Sequence, residues 1–366
     1  MRTETKRVLY IFLTLCIILT FALFLSWVAD GTGSGDESFV VSDTTSAELS
    51  DNASHVIAEQ SDVTGEQSDY STEESLNSEE SIDISEEVSD VSEQSDEHVI
   101  SDNFPVSYIE NNVTAGYIAV YNVTEGKYIY GKNENEKCYP ASLTKLVTAL
   151  LAVKHLDTNE IITVGDEIRR IGKGSSVAYL VVGYRMKLEV LLDAMMLPSG
   201  NDAAYTAAVA VGRKILGDKN ASIDAALECF YKAANEYVRS IGCTGTNIAC
   251  PDGYHDDNHY TTAWDYVLIS KEAMKNPLIM KVVQKKVAYD TLADGTQVKY
   301  ENTNLLLDYA YVTGLKTGTT NEAGYCVAVS AKSNGVEIIV VVMKSTSAAA
   351  RYEDAKKLIS AAYGWF

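Results

Sequence analysis

Three short groups of residues in this 366-residue chain carry side chains suited to nucleophilic chemistry: Ser142-Leu143-Thr144-Lys145, Ser199-Gly200-Asn201 and Lys316-Thr317-Gly318. A serine hydroxyl is a weak nucleophile until a base takes its proton. On a helix, positions i and i+3 share a face, so Lys145 is within reach of the Ser142 hydroxyl. A lysine serves as that base only if burial and a nearby cation bring its pKa well below ~10.4, and Lys316 is the candidate cation. A serine at the start of a helix also turns its own N–H toward a developing oxyanion. No general-base histidine is evident, so the chemistry is a Ser–Lys variant of nucleophilic catalysis. Each group alone has a bland reading as helix surface, loop or strand turn, and Ser-x-Asn recurs at Ser50, Ser75 and Ser101. Order, spacing and flanks together make the case.

Periodicity supplies the elements that must hold these groups. Ala115–Asn122 (AGYIAVYN) and Lys127–Lys132 (KYIYGK) flank a turn at Thr124-Glu125-Gly126 and read as a β-hairpin. Ser142–His155 has helical apolar spacing, with Pro140 just ahead of it. Lys187–Met196, 201–215 and 222–240 also read as helices, Gly324–Ala331 and Glu337–Met343 as alternating strands, and Glu353–Tyr363 as a closing helix. Strands at both ends and helices between them predict a mixed α/β domain. Its first strands meet its last in one sheet, and a helical layer from the middle of the chain is inserted between them.

Composition bounds what surrounds that domain. The chain is 46% hydrophobic and 22% charged, with a formal net charge of −21. Of its 51 acidic residues, 22 lie between Asp30 and Asn103, a stretch without Lys or Arg, whereas 104–366 holds 27 basic and 28 acidic side chains. The folded part is close to neutral, so no basic surface for a nucleic acid partner is expected. With 23 Gly and 6 Cys, collagen-like and disulfide-dense classes are excluded.

Val8–Val28 is an uncharged apolar run of 21 residues, which as a helix spans ~31 Å, the depth of a bilayer core. Arg2, Lys6 and Arg7 precede it, which predicts a cytoplasmic N-terminus with the remainder outside. Trp27 and Val28 ahead of Ala29 favour an uncleaved anchor over a cleaved signal peptide. The expected organisation is therefore a tail and transmembrane anchor at 1–29, an acidic Ser/Asp/Glu-rich disordered tether at 30–103, and a catalytic domain at 104–366. The tether reads as a solvated linker without a binding role. Cys243 and Cys250 are close enough to bridge, but small buried thiols are the preferred reading.

The order Ser-x-x-Lys, Ser-x-Asn, Lys-Thr-Gly is that of β-lactamases and penicillin-binding proteins. The flanks YPASLTKLVTAL, LLDAMMLPSGNDAAYTAA and GLKTGTTNEAGYCVAVSAK resemble the low-molecular-weight D-alanyl-D-alanine carboxypeptidases, the S11 serine peptidases. TGTNIACPDGYHDDNHYTTAWD resembles that family's segment between the second and third motifs, so the likeness covers roughly residues 104–366. The resemblance implies a penicillin-binding-protein-like fold: an antiparallel sheet flanked by helices, plus an all-helical lobe, with the site at their junction.

The resemblance also implies roles. Ser142 would attack the carbonyl between the last two D-alanines of a peptidoglycan stem peptide, and Lys145 would take its proton. Ser199 would relay a proton to the departing D-alanine, and Asn201 would bind the substrate backbone or fix Lys145. Lys316, with the Thr317 and Thr319 hydroxyls beside Gly318, would hold the terminal carboxylate. The N–H groups of Ser142 and Thr319 would form the oxyanion hole. β-Lactam antibiotics would acylate Ser142 and remain there. No cofactor and no metal enter this chemistry. The implied setting is the bacterial cell membrane, with the catalytic domain on the extracytoplasmic side. Several family members add a β-rich C-terminal domain and a C-terminal amphipathic anchor, whereas attachment here is expected at the N-terminal end alone.

A class A β-lactamase shares the fold and motifs, but its deacylating Glu-x-x-Leu-Asn context is absent between Asn201 and Lys316, where Glu228 and Glu236 lie in expected helices. A zinc peptidase would use the cluster Asp252, His255, Asp256, Asp257 and His259, which reads instead as a polar surface loop. An inactive peptidoglycan-binding or scaffold protein is opposed by the filled catalytic positions. Asp252-Gly253 replaces the family's usual His-Gly and is expected to touch no catalytic motif.

Overall fold

The computed structural model describes residues 103–365. The apolar run at 8–28 and nearly all of the acidic segment lie outside the described residues, and with them the anchor and tether expectations. Among the described residues no helix is long and apolar enough to cross a membrane.

A short helix α1 (Val106–Asn112) leads into the hairpin of β1 (Tyr117–Asn122) and β2 (Lys127–Lys132). A tight 3-10 turn at Ala141–Thr144 then feeds α2 (Lys145–His155). The small pair β3 (Ile161–Thr163) and β4 (Arg185–Lys187) precedes the helices α3 (Leu188–Met196), α4 (Asn201–Leu216) and α5 (Ile223–Ser240). Next come α6 (Ala263–Met274) and α7 (Pro277–Val283), followed by the hairpin of β5 (Val287–Thr291) and β6 (Gln297–Glu301). The chain ends with β7 (Val312–Thr320), β8 (Gly324–Ser333), β9 (Val336–Ser345) and α8 (Ala348–Tyr363).

Local chemistry sets the helix limits. Side chains of Ser222, Thr262, Asn276 and Ser347 accept the first free N–H groups of α5, α6, α7 and α8, and Pro277 opens α7. Gly217 and Gly364 end α4 and α8 in the left-handed conformation that glycine adopts without strain. Helix α2 is buried from Lys145 through Ala152, as expected of a helix that is apolar nearly all round and runs through the core.

The principal sheet is antiparallel, in the order β2-β1-β9-β8-β7, so the first strands do meet the last ones. Both of its faces are covered. Ala119, Tyr121, Ile339, Val341 and Met343 join the core shared with α2, α4 and α6. Ile118, Val120, Val340 and Val342 pack with Ile109, Leu358 and Ile359 of α1 and α8. This is why β9 reads as the nearly continuous apolar run VEIIVVVM rather than the alternation expected of it: neither face meets water. Strand β7 carries Lys316–Gly318 at the sheet edge, against the 3-10 turn. Its two glycines and polar residues hide its strand character, and its pairing with β8 supplies it.

Candidate active site

Ser142 sits in the 3-10 turn, partly exposed, after Ala141 in the left-handed region at φ +48. An i,i+3 pair eclipses in such a turn, and Lys145 Nζ lies 2.9 Å from Ser142 Oγ. The same Nζ donates to Asn201 Oδ1 and to the Asp252 carbonyl, each at 2.8 Å. Lys145 is wholly buried. Burial pulls its pKa down to about 8, against the opposing charges of Asp252 and Asp202.

Ser199 occupies the left-handed region at φ +62, which a serine adopts only under constraint. Its hydroxyl is buried and has no hydrogen-bond partner among the described residues. The next turn is tight: a Cβ on Gly200 would meet Ala194 O at 2.6 Å. Asn201 then opens α4. Its N–H donates to Ser176 O and its Nδ2 to Ser175 Oγ, each at 2.8 Å, leaving Oδ1 for Lys145. The neighbouring Asp202 carboxylate accepts from the N–H groups of Ala178, Leu180 and Ala203. That pins the 175–180 loop beside the site. Neither Ser175 nor Asp202 is foreseen from sequence.

On β7, Lys316 is buried and among the described residues its Nζ donates only to the adjacent Thr317 carbonyl. Burial holds its pKa well below the usual lysine range, and the charges of Lys145 and Arg351 lower it further. The expected effect of one lysine on the other therefore falls on Lys316. For Lys145, burial does the lowering. Thr317 Oγ1 pairs with Thr303 Oγ1 at 2.7 Å. Thr319, exposed at the strand's end, receives a bond from Arg351 Nη1 at 3.0 Å, and the same Nη1 reaches Gly318 O at 3.2 Å.

Arg351 belongs to the site and is missed by the motifs. Neither it nor Lys316 forms an ion pair with any described residue. The one sequence signal is a basic residue near the N-terminus of α8, where the helix dipole favours acids.

Two expectations about the middle segment need correction. Asp252 does touch a catalytic motif, through its carbonyl on Lys145. The Asp/His cluster is not all surface loop either, since Asp252 and His259 are buried. His259 Nδ1 accepts from Ala249 N at 3.0 Å, which leaves the proton on Nε2, 2.7 Å from Thr144 Oγ1. Burial lowers its pKa to about 4, so it stays neutral and pins the segment to the 3-10 turn. Among the described residues no group of three or more His, Cys, Asp or Glu is arranged to hold a metal. Cys243 and Cys250 are separate buried thiols.

A partly exposed serine thus stands beside a buried lysine of lowered pKa, and the basic side chains of Lys316 and Arg351 lack an ion-pair partner among the described residues. A sequence model of the D-alanyl-D-alanine carboxypeptidase family (Peptidase_S11) matches residues 105–347. The D-alanyl-D-alanine carboxypeptidase DacF of Bacillus subtilis is 32% identical over 248 residues, covering 66% of this chain and 60% of that protein. The D-alanyl-D-alanine carboxypeptidase of Streptomyces sp. strain K15 is 32% identical over 253 residues, covering 66% and 83%. The matched region thus spans less than two thirds of the Bacillus relative. The crystal structure of the Streptomyces K15 DD-transpeptidase superposes with a TM-score of 0.64 at 29% identity, over 69% of this chain and 98% of that one. Penicillin-binding protein D2 from Listeria monocytogenes, in its ampicillin-bound form, gives 0.56 at 27% identity over the same shares. The architecture expected from sequence, antiparallel sheet plus helical lobe, is the fold of these penicillin-binding enzymes.

Proposed function

The chain belongs to the D-alanyl-D-alanine carboxypeptidase family, and from that membership and the site's geometry we propose that it removes the terminal D-alanine from peptidoglycan stem peptides. The observation that carries this reading is the contact between Lys145 Nζ and Ser142 Oγ, with Lys145 buried. Neutral Lys145 takes the hydroxyl proton as Ser142 Oγ bonds to the carbonyl carbon of the penultimate D-alanine. The developing oxyanion is met by the N–H groups of Ser142 and Thr319. As the intermediate collapses, the C–N bond breaks, and the leaving amine receives the proton from Lys145 through the unpartnered Ser199 hydroxyl. Water, deprotonated by the same lysine, then hydrolyses the ester on Ser142.

The substrate's terminal carboxylate sits between Lys316, Arg351 and the Thr317 and Thr319 hydroxyls. This places an anion where two basic side chains lack an ion-pair partner among the described residues. A bound carboxylate also keeps Lys316 charged, and its neighbour Lys145 is then more readily neutral. Strand β7 is a sheet edge, so an extended peptide can lie along it. β-Lactams are proposed to acylate Ser142 and leave slowly. The proposed setting is a domain at 104–366 held outside the cytoplasmic membrane by the apolar segment 8–28 and the acidic tether 30–103, a reading supported by the uncharged run and the basic residues before it.

Mass spectrometry of the full chain after exposure to benzylpenicillin tests the chemistry. One penicilloyl adduct on the peptide containing Ser142, lost slowly, is expected. Rapid catalytic hydrolysis of the penicillin would assign the site to a β-lactamase, and a folded but unreactive chain would leave a binding module. The Streptomyces neighbour is named a DD-transpeptidase, so an amine replacing water as acceptor is a second reading. Adding a glycyl amine and looking for the exchanged peptide tests it.

A further inference from the structure

Away from the reaction site, one face of α4 borders a cavity of about 380 Å³, within the size range of small-molecule sites. Thr206, Val209, Ala210 and Arg213 stand at helical spacing on that face. Leu156 after α2, Ile162 of β3 and Glu167 of the 3-10 turn Asp166–Arg170 close the opposite side. Burial gives the cavity a direction. Thr206 and Glu167 are 1% and 2% exposed and mark its inner end, whereas Lys214 and Lys219 are exposed and mark its mouth.

The two ends are chemically unlike, and both are incompletely satisfied. At the inner end Glu167 Oε1 accepts Gly165 N at 2.7 Å, while the buried Oε2 has no hydrogen-bond partner among the described residues. Buried carboxylate oxygens are normally bonded, so an orphan in a side chain that lines a cavity marks the place of a missing donor. Room for that oxygen exists because residue 165 is glycine: a Cβ there would stand 2.5 Å from it. The Thr206 hydroxyl donates to Asp202 O at 3.0 Å and keeps a lone pair with which to accept. At the mouth, Arg213 is half-buried. Its Nε donates to Ala221 O at 3.0 Å, and its Nη groups have no partner among the described residues. Lys214 is paired with Glu160 at 3.1 Å, but neither Arg213 nor Lys219 forms an ion pair with any described residue. Between the ends the wall is apolar, from Leu156, Ile162, Val209 and Ala210.

We propose that this cavity is a second binding site, which takes a short aliphatic peptide by both of its termini: the ammonium donates to Glu167 Oε2 and Thr206 Oγ1, and the carboxylate meets Arg213 at the mouth, with Lys219 beside it. From Thr206 to Arg213 the helix rises ~10 Å. An extended peptide advances ~3.4 Å per residue, so about three residues span that distance. A free amino acid is too short to reach both ends. The cavity shares α4 with the reaction site, since Asn201 opens that helix. It uses none of the side chains that act there, and it does not rest on the serine-acylation reading.

Isothermal titration calorimetry of the full chain with tri-alanine, beside its N-acetylated and C-terminally amidated forms, tests the site. Saturable binding of tri-alanine is expected, weakened at least about tenfold by either cap, because each cap removes one charge-assisted bond. No saturable binding of tri-alanine, or equal binding of all three peptides, overturns the proposal. In Glu167→Gln the side-chain carbonyl must still accept Gly165 N, so an NH2 donor takes the place of Oε2. Affinity is expected to fall at least about tenfold in that variant, and an unchanged affinity overturns the proposal as well. Arg351→Leu separates the two sites. Binding kept in that variant is the predicted result, whereas binding lost there but kept in Glu167→Gln would seat the peptide in the reaction site and overturn the inference. The capped peptides carry the test on the unaltered chain if a variant does not fold.

Discussion

Gly318 of β7 lies so close to Ser142 that a Cβ on it would stand 2.9 Å from the Ser142 nitrogen, 3.0 Å from Pro140 O and 3.1 Å from the Ala141 Cβ. Two of those three atoms are backbone, so neither side can yield by turning a side chain. Strand and nucleophile turn are interlocked.

Gly318→Ala therefore pushes the two apart by a few tenths of an ångström. Acylation by a fluorescent penicillin should fall ~10²-fold, because small displacements of reacting groups are costly to rate. Stability should fall by only ~1–3 kcal/mol, the usual effect of local overpacking. Stopped-flow acylation and thermal melts measure the two, and an unimpaired rate would contradict the interlock.

Thr303 joins two motif-bearing parts of the site to α8. Its N–H donates to Leu197 O at 3.0 Å beside Ser199, its Oγ1 pairs with Thr317 Oγ1 at 2.7 Å, and its carbonyl accepts the Tyr352 hydroxyl of α8 at 2.7 Å. Thr303→Val keeps the shape and strands the Thr317 hydroxyl. A loss of ~1–2 kcal/mol in denaturant unfolding is expected, with KM for a D-Ala-D-Ala peptide raised several-fold and kcat changed less. A change in kcat alone would place Thr303 outside the substrate seat.

The lowered pKa of Lys145, about 8, fixes the direction of the pH response. The base is active when neutral, so the acylation rate should climb about tenfold per pH unit below ~8 and level off above it. Rates measured from pH 5.5 to 9.5 give the profile directly. A flat profile, or one that falls through this range, would remove Lys145 as the base.

Arg351→Leu tests the anion seat. A charge-assisted bond to a carboxylate contributes ~1.5–3 kcal/mol, so KM for a peptide with a free C-terminal carboxylate should rise about tenfold or more. A C-terminally amidated peptide should be insensitive to the substitution. Equal losses for both peptides would mean that Arg351 supports β7 rather than the substrate.

How far the site is legible from sequence depends on how each residue acts. Ser142, Lys145 and Asn201 act through side chains whose types and spacing are diagnostic, and the fold brings their polar atoms within 2.9 Å or less. Arg351 stands far from Lys316 in sequence and has only its awkward place near a helix N-terminus to mark it. Asp252 contributes a main-chain oxygen, which no residue pattern announces. The same contrast holds in the fold. Helices α3, α4 and α5 and the first hairpin follow from periodicity, whereas β7 owes its extended form to the strand beside it.

The most direct test of the account is D-alanine release from a Lys-D-Ala-D-Ala peptide by the full chain, beside its Ser142→Ala variant. Release by wild type, at least ~10³-fold lower in a variant that melts at nearly the same temperature, is the predicted result. Release that persists unchanged in Ser142→Ala would contradict the assignment of Ser142 as the nucleophile.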